Sequence, residues 1–240
     1  MRFGRRMMMA AVLASLTSGA APVTCVPTVR EGEGTWWRDK LARNHEIAVA
    51  CGEVDLVMLG DSITHYWEIG EGDDTSREVL ELERRYSVVN GGFGGAHVEN
   101  ILWDIVKGGE LDGYRAKAVM LMIGTNDFAR YPLSAEDGAK KLAAILKVIR
   151  AKQPQAKVIL LPIFPAFANP RVGKRADCNA LAKKLADGKD VIWCDFNEKF
   201  LDAKGEVRTD LMPDRLHPNN AGYVIWREAV TPLFRQICGK

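Results

Sequence analysis

Four short segments hold residues whose types and spacing suit nucleophilic acyl transfer. Gly60-Asp61-Ser62-Ile63-Thr64 follows a strongly apolar run, and Ser62 stands where a helix would begin. Free backbone N–H groups and the helix dipole there favour a developing negative charge. Asn90-Gly91-Gly92-Phe93-Gly94-Gly95-Ala96-His97 follows a second run; its glycines let backbone approach a ligand, and the N–H of Gly95 could face it. Gly124-Thr125-Asn126-Asp127 follows a third, where the Asn126 amide offers a donor without adding a titratable charge. Asp214-Arg215-Leu216-His217-Pro218-Asn219 lies near the C terminus. A carboxylate three residues before an imidazole can fix its tautomer and stabilise its charged form.

Each segment alone also has a purely structural reading: an N-capping serine, a flexible turn, an Asx turn, a solvated Asp beside a surface His. Together they make a functional set. A serine hydroxyl needs a base, the base needs an orienting group, and a tetrahedral oxyanion needs donors. His65 competes with His217 as base, since it follows Asp61 by four residues and Ser62 by three on one helix face. His217 is preferred because a base on a loop can approach the serine from across the mouth. A dinucleotide fingerprint is the rival for the glycine segment, but GxGxxG needs a glycine where His97 stands.

The elements that must position these residues alternate. Five apolar runs, Val54 to Leu59, Tyr86 to Val89, Ala118 to Ile123, Val158 to Leu161 and Val191 to Cys194, lack clean alternation and read as strands buried on both faces of a parallel sheet. Helical patterns cover Trp36 to Ala50, Ala135 to Lys152, Lys174 to Asp187 and Asn220 to Cys238, with an interruption at Pro232 expected in the last. Alternating strands and helices imply right-handed crossovers and an α/β fold of three layers, α/β/α. Ligands then bind beyond the carboxyl ends of the strands, where three of the four segments fall.

These segments resemble the four blocks of the SGNH (GDSL) hydrolase family, and the resemblance runs from about Trp36 to Phe234. It implies a flavodoxin-like fold with a five-stranded parallel sheet of order 2-1-3-4-5. It also implies that Ser62 is the nucleophile, that Asp214 and His217 are orienter and base, and that Gly95, Asn126 and the N–H of Ser62 are oxyanion donors. Asp61-Ser62-Ile63-Thr64, Ala96-His97-Val98-Glu99-Asn100-Ile101-Leu102-Trp103 and His217-Pro218-Asn219-Asn220-Ala221-Gly222-Tyr223 are similar to the platelet-activating-factor acetylhydrolase branch. That implies acetyl or other short acyl groups on a carbohydrate or lipid ester. Ala96 departs from this branch, which usually carries Asp after the glycines. A thioesterase or lysophospholipase of the same family, or a catalytically silent glycan-binding protein on the same fold, are the alternatives.

Composition bounds the rest. The chain has 240 residues, 27% of them charged, and a formal net charge of +2, too mild to imply a nucleic-acid partner. Residues 1–21 read as a signal peptide: Arg2, Arg5 and Arg6, an apolar run from Met7 to Leu16, then small residues with cleavage near Ala20 or Ala21. The run is about half the ~20 residues a membrane span needs, so an exported protein, periplasmic or extracellular, without an integral membrane segment is expected. Residues 22–35 read as a flexible N-terminal segment and 36–240 as the hydrolase domain. The cysteines Cys25, Cys51, Cys178, Cys194 and Cys238 form no CxxC pair and have no His at metal-ligand spacing, so neither metal nor cofactor is expected. Cys178 and Cys194 read as small buried apolar residues. Tyr66, Trp67, Phe93, Phe128 and Phe167 fall on or near the expected mouth, where they could pack on a sugar ring or acyl chain or simply on the core. No amphipathic lid appears, which favours short esters.

Overall fold

The computed structural model describes residues 25–30, 32, 34–69, 85–166 and 172–239. Residues 1–21, where a signal peptide is expected, and Phe167 lie outside them. In chain order come α1 (Trp36–Cys51), β1 (Glu53–Gly60), α2 (Ser62–Ile69), β2 (Val88–Gly92), α3 (Val98–Val106), β3 (Arg115–Met122), α4 (Thr125–Arg130), α5 (Ala135–Lys152), β4 (Lys157–Leu160), α6 (Val172–Ala182), β5 (Val191–Trp193) and α7 (Asn220–Cys238), with short 3₁₀ turns at Lys183–Leu185 and Asn197–Phe200. The five strands pair in parallel in the order β2-β1-β3-β4-β5, the topology the family resemblance implies.

Successive side chains of a strand point to opposite faces, and in this sheet both faces are apolar. Val57 and Leu59 of β1, with Val119 and Leu121 of β3, join one core with α1, α3, α5 and α6. Leu56 and Met58, with Ala118, Met120 and Met122, join a second core with Ile63 and Trp67 of α2 and with α7. Helices therefore cover both faces, which is why the strand runs do not alternate.

Two differences from the sequence reading have physical causes. The second strand was expected at Tyr86 to Val89 but occupies Val88–Gly92, with Asn90, Gly91 and Gly92 in register with Met58, Leu59 and Gly60. Backbone pairing defines this strand end, and glycines give no apolar signal. A Cβ on Gly92 would strike the backbone N of His65, so the glycine lets α2 lie against the strand. The last helix is not interrupted: α7 runs through Pro232. Buried Val230 and Phe234 anchor it on either side of that residue, while the exposed proline leaves the Glu228 carbonyl without its i+4 donor.

Candidate active site

β1 ends at Gly60, where a Cβ would meet the Thr64 hydroxyl and the Met122 carbonyl. Only glycine allows the chain to leave the sheet this tightly and start α2 at Ser62. Asp61 steadies the turn by accepting the Ile63 N–H at 3.0 Å. It is buried, and burial pushes its carboxyl up to about 6.

The imidazole beside Ser62 arrives from the other end of the chain. Ser62 Oγ lies 2.9 Å from His217 Nε2, across 155 positions of sequence. On the far side of the ring, His217 Nδ1 lies 2.6 Å from Asp214 Oδ2. The other Asp214 oxygen accepts the backbone N–H groups of Leu216 at 2.9 Å and His217 at 2.7 Å. Partial burial pushes the Asp214 carboxyl up, but these donors and the imidazole outweigh it and hold the carboxyl below its usual range. The loop folds on itself because Arg215 takes φ +60°, the one described non-glycine residue in that region. Such strain persists only where the surroundings enforce it. Tyr223 of α7 donates to the Ile63 carbonyl at 2.7 Å, tying the helix after His217 to the first turn of α2. A hydroxyl, an imidazole and a carboxylate in this sequence can pass a proton from serine to histidine while the carboxylate stabilises the charge formed.

The two loops expected to supply donors are joined to each other. Gly95 takes φ +72°, and Asn126 Nδ2 donates to the Ala96 carbonyl at 2.9 Å, leaving its second amide hydrogen. Position 96 holds its loop through backbone instead: the buried Ala96 also donates its N–H to Phe93 O at 3.2 Å. Beneath lies a buried ionic knot that sequence reading missed. Asp127 accepts the Val98 N–H at 3.2 Å and Lys141 Nζ at 2.8 Å, and Lys141 also reaches Glu99 at 2.6 Å. Burial pushes Asp127 up, but His97 and Lys141 outweigh it and keep it below the usual carboxylate range. Local signals could not show it, since Lys141 looks like any polar residue of an amphipathic helix.

His65 does not join the site. Its ring stacks on Trp36 at 5.3 Å, and Asp61 meets it only through backbone, accepting the His65 N–H at its carbonyl. Burial, then the charges of Lys40 and Arg30, push the imidazole down to about 4. Trp67, Phe93 and Phe128 are core residues with 1% exposure or less, not mouth residues, whereas half-buried Tyr66 packs on His217 with ring centroids 5.0 Å apart. All five cysteines are free thiols, and Cys178 is buried and pushed up to about 12 by that burial. Cys194 is only half-buried. Among the described residues no cluster of His, Cys, Asp or Glu is placed to hold a metal, and no helix is long and apolar enough to cross a membrane.

Comparison with known proteins agrees with this arrangement. The chain is 28% identical over 220 residues to the platelet-activating factor acetylhydrolase IB subunit alpha2 of Rattus norvegicus, covering 87% of this chain and 88% of that protein. It is 28% identical over 201 residues to the human alpha1 subunit, covering 80% of each. The fold matches the crystal structure of a GDSL-like lipase from Bacteroides thetaiotaomicron with a TM-score of 0.68 at 17% identity, over 84% of this chain and 98% of that one. Residues 58–225 match the model of the GDSL-like Lipase/Acylhydrolase family. The chain belongs to that family and is a carboxylic ester hydrolase.

Proposed function

We propose that this enzyme removes short acyl groups, acetyl foremost, from oxyesters of a carbohydrate or lipid through an acyl-serine intermediate at Ser62. The observation that carries the reading is the 2.9 Å approach of Ser62 Oγ to His217 Nε2, with Asp214 at 2.6 Å behind the ring. Ser62 Oγ attacks the ester carbonyl as His217 takes its proton, and Asp214 stabilises the imidazolium. The oxyanion is met by the N–H groups of Ser62 and Gly95 and by the free amide hydrogen of Asn126, each such donor being worth about 3 kcal/mol in comparable sites. His217 returns the proton to the leaving alcohol, and water then frees the acid by the same steps in reverse. The acetyl preference draws support from the relatives named acetylhydrolases. The leader-like first 21 residues support export to the periplasm or beyond.

The test is labelling of the folded protein with a fluorophosphonate, followed by mass mapping. Modification of Ser62, with loss of p-nitrophenyl acetate turnover in parallel, is the expected result. Absence of label, or label elsewhere, would overturn the assignment.

A further inference from the structure

Residues 25–30, ahead of α1, are bound to the loop that carries Gly95, and they hold it on both sides of that residue. Before Gly95, the Phe93 carbonyl accepts the Ala96 N–H at 3.2 Å and closes a β-turn through Gly94 and Gly95. The ring of Phe93 is fully buried, and the Arg30 guanidinium lies over it, 4.2 Å from the centroid. After Gly95, one side chain joins the loop to the same stretch. Asn100 Oδ1 accepts the His97 N–H at 2.9 Å, and its Nδ2 donates to the Thr28 carbonyl at 3.0 Å. Thr28 also donates its N–H to the Glu99 carbonyl at 2.9 Å, and Cys25 and Val29 pack on the core.

Arg30 is set deep. Its side chain is 4% exposed and pairs at 2.7 Å with Asp104 of α3, itself 1% exposed. Burial pushes the Asp104 carboxyl up to about 6 against the pull of Arg30. A cation and a carboxylate buried together lose about as much hydration as their attraction returns, and an apolar pair of similar volume often stabilises a core as well or better. Stability therefore does not explain why charge stands here.

What the pair supplies is direction. A planar guanidinium fixed at one end by Asp104 presents one flat charged face, and a cation over a desolvated ring is held there by the ring's own field. Apolar side chains in its place could repack. The Gly95 N–H acts only if it points to where the oxyanion forms, and a displacement of about 1 Å can cost about 10²-fold in rate.

We propose that residues 25–30 are a strap on the Gly95 turn, and that Arg30 is a positioning residue acting through Phe93 on the Gly95 N–H. The role of that N–H rests on the esterase reading above; the grip of the strap on the loop rests on these contacts alone.

The test is steady-state kinetics with p-nitrophenyl acetate on the full chain and two variants, each paired with thermal unfolding. Arg30→Met/Asp104→Leu replaces the ion pair by apolar side chains. Its unfolding midpoint should stay within a few degrees of the parent's, while kcat falls about tenfold or more and KM stays within about twofold. Thr28→Pro removes the N–H donor of the strap at an exposed position and leaves the buried pair in place. It should lower kcat about threefold or more with KM and midpoint unchanged, and it decides the matter should the double variant not fold. Parent-like kcat in either folded variant, a loss carried by KM, or a loss that appears only with a collapsed midpoint would overturn the proposal. Fluorophosphonate labelling of the parent separates the two readings. No label on Ser62 would end the esterase reading, whereas a labelled parent whose variants keep its kcat would end the strap alone.

Discussion

A base must be oriented and able to change its charge, and the two histidines nearest Ser62 differ on both counts. His217 has a carboxylate 2.6 Å behind it. His65 has an indole against its ring and is pushed down to about 4 by burial and by nearby cations, so it stays neutral where such chemistry runs. On the proposed assignment, Ser62→Ala and His217→Ala should each lower kcat for p-nitrophenyl acetate by about 10⁴-fold or more. Asp214→Asn should cost somewhat less, and His65→Gln should leave kcat within about threefold. A His65→Gln loss matching that of His217→Ala, with the fold intact, would move the base to His65. The meeting of Asp214 and His217 was legible in the sequence because it is local, three residues within one turn of chain. Arg175 and Lys141 were not read as site neighbours, because their partners, Thr125 and Asp127, are reached only by tertiary packing between different helices.

At the scale of elements, the Gly95 loop and the Asn126 helix act together only if something fixes one to the other. Lys141 of α5 does so by bridging Asp127 at 2.8 Å and Glu99 at 2.6 Å. Lys141→Met would strip the buried Asp127 carboxylate of its lysine, leaving it only the Val98 N–H and His97, at a cost of about 3 kcal/mol. Thermal unfolding should then occur roughly 6–12 °C lower, and kcat should fall more than KM rises. An unfolding midpoint within a degree or two of the parent would show that the bridge holds nothing. α7 offers the opposite sign: Pro232→Ala restores a donor for the Glu228 carbonyl in a helix anchored at Val230 and Phe234. The gain should be about 2 kcal/mol, from a proline penalty of about 3 less up to 1 for the freer unfolded chain. A midpoint that does not rise would mean α7 has already relaxed around the proline. Most elements were legible from apolar runs and helical period, because burial dictates both. The end of β2 was not, because Asn90, Gly91 and Gly92 pair through backbone and carry no hydrophobic signal.

Strand order belongs to the whole molecule, and apolar runs alone do not specify which strand neighbours which; the order 2-1-3-4-5 was legible only through the family blocks. Burial on both faces of that sheet has a consequence for stability against pH. Burial pushes Asp61 up to about 6 from 3.8. It also lifts Glu110, which has no partner for either oxygen, well above 4.5. Such carboxyls hold their proton more tightly in the folded chain. As pH rises the unfolded chain ionises first, so stability falls through this window, by up to about 1.4 kcal/mol per pH unit for each group. His65 has the opposite effect: its imidazole is pushed down from 6.5 to about 4, so its contribution rises with pH over nearly the same range. The parent's profile therefore mixes the two, and the difference between variant and parent isolates each group. Asp61→Asn keeps an oxygen for the Ile63 N–H and removes the titration. Measured by urea unfolding, its stability relative to the parent should climb from about pH 4 and level off near pH 6. Glu110→Gln should climb in the same direction and continue to higher pH. A difference that stays flat across this range would mean that these carboxyls titrate alike in folded and unfolded chains, and that burial beneath the glycine turns does not set their charge.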